Sequence, residues 1–309
     1  MSRISMNEMT TYRWSLLDDV AGFKAAGISG IGVWRQKLSD FGEERGIELL
    51  RESGLAVSSF SSAGGFTGSD GLTFREAVDD ALDAVRLAAE IRAGCLVVVS
   101  GGRAGHTFNH ARRILRDALR AVGDAAAHYG LSVALQPAMG RPIERWSFLT
   151  SLDATLEMLA WCDHAHVGMV CDIFHLARET DLLRKVAQAV PWIKIAAICD
   201  AHQPAQSDAD RCLPGEGQLP CAEIIAALEI EGYRGFYDVQ LFGERFWNAD
   251  YAALLGECRG ALTRLAPHIF AARAGACADT PHADNAAARN PASLGAGGAV
   301  IATPAAPQR

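Results

Sequence analysis

The chain has 309 residues, of which 50% are hydrophobic and 21% charged, with a formal net charge of -7 at pH 7. That size and balance suit one large globular domain, and the acidic surplus argues against nucleic acid or an anionic membrane as partner. No apolar run reaches the roughly eighteen residues of a membrane span, and MSRISMNEMTTYRW at the start lacks the apolar centre of a signal peptide.

In chain order, short apolar runs alternate with longer amphipathic ones. Strands are predicted at 3–7, 27–34, 55–61, 95–101, 132–137, 166–172, 192–200 and 235–243. Helices are predicted at 18–27, 42–54, 74–91, 107–129, 151–162, 181–190, 220–232 and 249–266, with Gly54 as a C-terminal stop and Ser151 or Asp153 as an N-cap. Strands joined through helices must run parallel. Eight such units, apolar strands and no dinucleotide-binding glycine fingerprint favour a closed (β/α)8 TIM barrel over a doubly wound open sheet. The barrel is read as a single domain over 1–268. From 269 to 309 the sequence is rich in Ala, Gly and Pro with few large apolar residues, and a disordered tail is expected. The eight cysteines are scattered without a C-x-x-C pair, which reads as reduced thiols in a cytoplasmic protein.

The active site of such a barrel lies at the carboxyl ends of its strands. Those ends carry Asn7 and Glu8, Trp34 and Arg35, Ser61 and Ser62, Gly101 and Gly102, Gln136, Asp172 with His175, Asp200 with His202, and Gln240 with Glu244. The connection after the seventh strand, 201–219, is long and carries Arg211 and the run PGEG. Long loops in compact domains are often functional. Asp172 and His175, three residues apart just past a strand, suit acid–base work, the carboxylate tuning the imidazole. His202 is a second acid–base candidate. Glu8 is a candidate carboxylate, Glu216 and Glu244 are further acidic candidates for substrate binding, and Trp34, Phe66, Trp146 and Trp247 could wall a pocket. Cys199 reads as a buried filler, because nothing nearby would activate it.

These stretches together resemble the xylose-isomerase-like barrel superfamily of sugar isomerases, sugar-phosphate epimerases, dehydratases and apurinic endonucleases. The resemblance rests on ALQP (134–137), DIFH (172–175), AICD (197–200), Arg211 with PGEG (214–217), DVQLF (238–242) and AGISGIGVWR (26–35), and spans about 3–265. It implies a divalent metal held at positions that correspond here to Gln136, Asp172, Ala197 and Gln240, and a substrate-anchoring arginine at Arg211. Only Asp172 of that set is a carboxylate. Mg²⁺ and Mn²⁺ favour anionic oxygen, so two amides and a methyl group make a poor site. No cofactor is therefore expected, Mn or Mg held by Gln136, Asp172, His202 and Gln240 being the alternative.

The favoured expectation is a metal-independent isomerase or lyase acting on a small carbonyl or polyol substrate, in secondary metabolism. Asp172 and His175 would move the proton, with Gln136 and Gln240 donating hydrogen bonds to a developing oxyanion. The alternatives are a metal-dependent sugar isomerase or epimerase and a catalytically silent partner subunit. A homodimer is a further expectation.

Overall fold

The structure, a computed structural model, describes residues 2–138, 146–202 and 207–270. Eight strands close a parallel barrel: β1 (Ile4–Asn7), β2 (Gly30–Trp34), β3 (Ala56–Gly64), β4 (Cys95–Val99), β5 (Ser132–Gln136), β6 (Val167–Asp172), β7 (Ile193–Ile198) and β10 (Tyr237–Val239). Between the last two, β8 (Asp200–Ala201) and β9 (Arg211–Cys212) pair antiparallel as a small hairpin outside the barrel. The long helices α1 (Leu16–Ala25), α3 (Glu43–Ser53), α4 (Phe74–Glu90), α5 (Phe108–His128), α6 (Leu152–Cys162), α8 (Leu182–Ala189), α9 (Cys221–Ile230) and α11 (Tyr251–Leu265) follow the strands. Four short helices are added: α2 (Arg35–Phe41), α7 (Ile173–Leu176), α10 (Glu244–Trp247) and α12 (Pro267–Phe270).

Local chemistry sets the helix ends. Ser15 with Asp18, and Thr73 with Glu76, form reciprocal capping boxes on α1 and α4. Ser151, not Asp153, caps α6 by accepting from the Ala154 N–H. Gly54 ends α3 in the left-handed conformation at φ 76°.

The strands divide the core in two. Leu96, Val98, Val133, Leu135, Met169, Cys171, Ala196 and Ile198 face the helix layer in one large buried cluster. The alternate residues Cys95, Val97, Ala134, Val170, Ile195 and Ala197 fill the barrel interior as a second cluster. This period-2 alternation aims the strand ends. In register across β6, β7 and β10, Asp172 pairs with Ala197 and Ala197 with Asp238, so these positions meet at one level.

The expected helix at 42–54 is α3, but α2 precedes it directly from Trp34, with Gly42 at φ 98° separating the two. The last strand is shorter than 235–243, pairing only over Tyr237–Val239. The tail expected from 269 lies outside the described residues, apart from Ile269 and Phe270. These complete α12, where Phe270 is buried edge-on against Tyr237 at 5.2 Å. Among the described residues no helix is long and apolar enough to cross a membrane.

Candidate active site

A cavity of about 360 Å³ opens at the carboxyl ends of the strands. Its polar lining comes from Asn7, Ser59, Ser61, Ser62, Gln136, His175, Arg211 and Gln240. Aromatic rings form much of the wall: Trp34, Trp146, Phe242 and Trp247 line it, and Tyr12 bridges Trp34 and Trp247 at 5.8 and 5.4 Å. The expected Phe66 is not among them; it is packed in the core at 1% exposure.

One side of the cavity is built around Asp172, the last residue of β6. Its carboxylate accepts from the Phe174 N–H at 3.0 Å and so caps the one-turn helix α7, which carries His175 back towards the mouth. Arg211 reaches over from the β8–β9 hairpin. Its Nη1 donates to Asp172 Oδ1 at 3.3 Å and its Nη2 to Oδ2 at 3.0 Å, a two-pronged pair with both side chains fully buried. The same guanidinium donates to Cys199 Sγ at 3.4 Å and lies 3.4 Å from His175 Nε2. Its faces are covered by Phe174 and Phe242, at 4.4 and 4.7 Å from the ring centroids. Gln136 Nε2 donates to Asp172 Oδ2 at 3.3 Å. Burial alone would raise the Asp172 pKa. The Arg211 charge, then His175 and the hydrogen bonds, outweigh it and hold the carboxyl below its ordinary value.

A second cluster, two strands round the barrel on β10, is built around Asp238, which the sequence motifs do not mark. Its Oδ2 accepts from Asn7 Nδ2 at 2.9 Å and from Gln240 Nε2 at 3.1 Å. A Cβ on Gly32 would meet this pair at 2.8–2.9 Å, so glycine is needed there for space. Burial pushes the Asp238 carboxyl above its ordinary value, and the Asn7 and Gln240 amides and nearby serines pull it back only in part. The signal was present in DVQ: two residues before Gln240 on a strand is the same face.

The positions that the resemblance assigns to a metal do not fit one. Gln240 turns its amide to Asp238 and Gln136 turns its amide to Asp172. Ala197 offers a methyl group packed in the barrel interior, and both oxygens of Asp172 accept from Arg211. Among the described residues, no three His, Cys, Asp or Glu side chains are grouped to hold a metal ion.

Several sequence candidates lie elsewhere. Glu8 is a correction: strand alternation points Asn7 into the barrel and Glu8 out of it, where it is fully buried beneath the helices. There it accepts from the Trp34 N–H at 2.6 Å, at the start of α2. It shares this layer with Asp19 and Lys37, themselves paired at 2.6 Å. Burial first, and then the Asp19 charge, push the Glu8 carboxyl well up, while Asp19 is pushed up to about 6. His202 is exposed and does not line the cavity. Glu216 is exposed and pairs with Arg245 at 3.4 Å, and Glu244 is exposed on α10. Each follows a glycine in a positive-φ conformation, Gly215 at 86° and Gly243 at 110°. Asp200 clasps the hairpin loop instead of facing substrate: it accepts from the Gly215 N–H at 3.0 Å and the Leu219 N–H at 2.8 Å. Cys199 is buried and its thiol is pushed up to about 12, as suits a filler.

The chain is similar to known proteins over most of this barrel. It is 24% identical over 243 residues to a 3-dehydroshikimate dehydratase of Pseudomonas putida, covering 75% of this chain but 37% of that protein. The chain thus spans little more than a third of the length of that relative. A solved protein of Sinorhizobium meliloti 1021 superposes with a TM-score of 0.79 at 25% identity, covering 85% of this chain and 98% of the other. The 3-keto-D-glucoside 4-epimerase of E. coli superposes with a TM-score of 0.69 at 18% identity over 86% of this chain and 99% of its own, a likeness of fold. The sequence model of one family matches residues 20–260. With the closed barrel and the ordered strand-end motifs, that match settles the kinship: the chain belongs to the xylose isomerase-like TIM barrel family.

Proposed function

We propose that the chain is an isomerase- or lyase-type enzyme that moves a proton next to a carbonyl of a small hydroxylated substrate, without a divalent metal. The observation that carries this reading is the lining of the cavity. Of its described residues only His175 can take and return a proton near neutral pH, and Arg211 stays charged throughout. The Asp172 carboxylate, ionised and tied to Arg211, positions the pair instead of titrating. This keeps the expected tuning of the imidazole by the carboxylate and gives the proton transfer itself to His175.

The chemistry follows from one base. His175 removes a proton from the carbon beside the carbonyl, and the electron pair moves into the enolate. Returning the proton to the former carbonyl carbon, while the neighbouring hydroxyl proton passes to the former carbonyl oxygen, completes an isomerisation. Giving it to a departing β-hydroxyl releases water and leaves a double bond. Gln136 and Gln240 each spend one N–H on an aspartate and keep the second, with Oε1, for the substrate. Such N–H groups suit a developing oxyanion. The aromatic wall suits the apolar face of a ring.

The test is solvent deuterium exchange. 3-Dehydroshikimate, a 3-keto-glucoside and a set of ketoses are incubated with the protein in D₂O and EDTA and followed by proton NMR. Loss of an α-proton signal from one of them is expected, slowed roughly 10²–10⁴-fold by His175→Asn, the usual worth of a positioned base. Exchange with none of the panel, exchange that survives His175→Asn, or exchange that needs added Mn²⁺ would sink the reading.

A further inference from the structure

We infer that Arg211 is the built-in cation of this site: its guanidinium compensates Asp172 in the place where a divalent ion would have to bind, and so closes the mouth to metal. The inference rests on the metal-free reading above and adds a named cause to it. Replacement of ligands by Gln136, Ala197 and Gln240 would by itself leave Asp172 as a buried anion with hydrogen bonds but no fixed cation beside it, an arrangement that proteins avoid. The structure shows what takes up that charge. Both oxygens of Asp172 face one guanidinium, at 3.3 and 3.0 Å.

The guanidinium is held at both terminal nitrogens and on both faces. Its edge is used by Asp172, Cys199 and His175, and its two faces by the rings of Phe174 and Phe242. A cation held by five side chains does not swing aside at little cost. A divalent ion approaching Asp172 would meet a like charge at contact distance, in a setting too dry to screen it. Arg211 also meets the imidazole of His175, so the same charge that replaces a metal positions the proposed base. A lysine would keep the charge but lose the fork.

Binding, not turnover, tests this. Three donors are restored in Q136E/A197H/Q240E, and the same protein is made with and without R211A. Mn²⁺ is titrated into each and the free ion followed by its EPR signal, with melting temperature as a second readout. The fourfold variant is expected to bind one Mn²⁺ at least 10-fold more tightly than the threefold variant that keeps Arg211. Equal affinity in the two would overturn the inference. If the fourfold variant does not fold, R211A alone decides. Guanidinium chloride at low millimolar concentration should raise its melting temperature by several degrees and leave the wild type unchanged. No rise would overturn the inference. Neither arm reads catalysis, so a protein inert in the deuterium assay can still pass both, and one that exchanges protons can fail both.

Discussion

Two aspartates sit at the same level of the barrel, both fully buried and each beneath a glutamine amide, and they end in opposite electrostatic states. Asp172, on the β6 side, meets a guanidinium and its carboxyl is held below the ordinary range. Asp238, on the β10 side, meets amides and hydroxyls, and burial carries its carboxyl above that range. Residue type, depth and glutamine neighbour match. The cation is the difference. One cluster at the mouth is an ion pair and the other a polar network without a cation. Charge at this site is thus decided by what one hairpin brings over the top of the barrel, not by the barrel strands.

The comparison breaks most easily by removing the negative charges one at a time. Asp172→Asn strands a buried guanidinium and is expected to cost about 3–5 kcal/mol in urea unfolding. Asp238→Asn removes a carboxyl that meets amides and hydroxyls and strands no cation, and should cost about 1 kcal/mol. Equal losses would mean that the two sites are alike after all. The double variant Asp172→Asn with Arg211→Met removes the whole pair. It should recover at least half of the loss seen with Asp172→Asn alone, since an apolar isostere replaces a buried ion pair at little net cost.

Acid titration sharpens the contrast further. A carboxyl whose folded pKa is depressed below 3.8 contributes stability above that value and loses it as pH falls through the folded pKa. The melting advantage of wild type over Asp172→Asn should therefore shrink below about pH 4. A carboxyl raised above 3.8 contributes most at low pH and loses that contribution as pH rises through the folded pKa. The advantage of wild type over Asp238→Asn should shrink in the other direction, on going up in pH. Parallel curves for the two variants would refute the assignment. The smallest effect is expected at Glu8, outside the cavity, whose raised carboxyl shares a single Lys37 with Asp19. Glu8→Gln should leave the melting temperature near neutral pH unchanged or raised by a few degrees, with the gain fading towards pH 4. A large loss there would mean that the Glu8 carboxylate stabilises the layer it shares with Asp19 and Lys37.

The barrel was legible in the sequence because alternation of strand and helix is a long-range pattern that survives errors at any one boundary. The glutamines were legible for the same reason: each closes an apolar strand. The sequence puts Asp172 and His175 at a strand end but does not show the ion pair that Asp172 makes, because Arg211 lies 39 residues away and no local pattern reveals that they touch. Glu8 was misplaced by one residue of strand phase, which turns a side chain from the cavity to the helix layer. Asp238 was passed over within a motif already quoted, although its two-residue offset from Gln240 put both on one face. The hairpin that carries Arg211 has two-residue strands, too short to leave a periodic signature.

That hairpin has an evolutionary consequence. The charge-bearing residue rides on an excursion between β7 and α9, whose loop is closed on its own first strand by the carboxylate of Asp200 and fitted closely enough that a Cβ on Gly217 would run into Asp200 and Ala201. A module attached this way can be inherited, exchanged or grafted as a unit. The side chains that this module carries over the mouth can thus change while the eight-stranded scaffold beneath stays as it is.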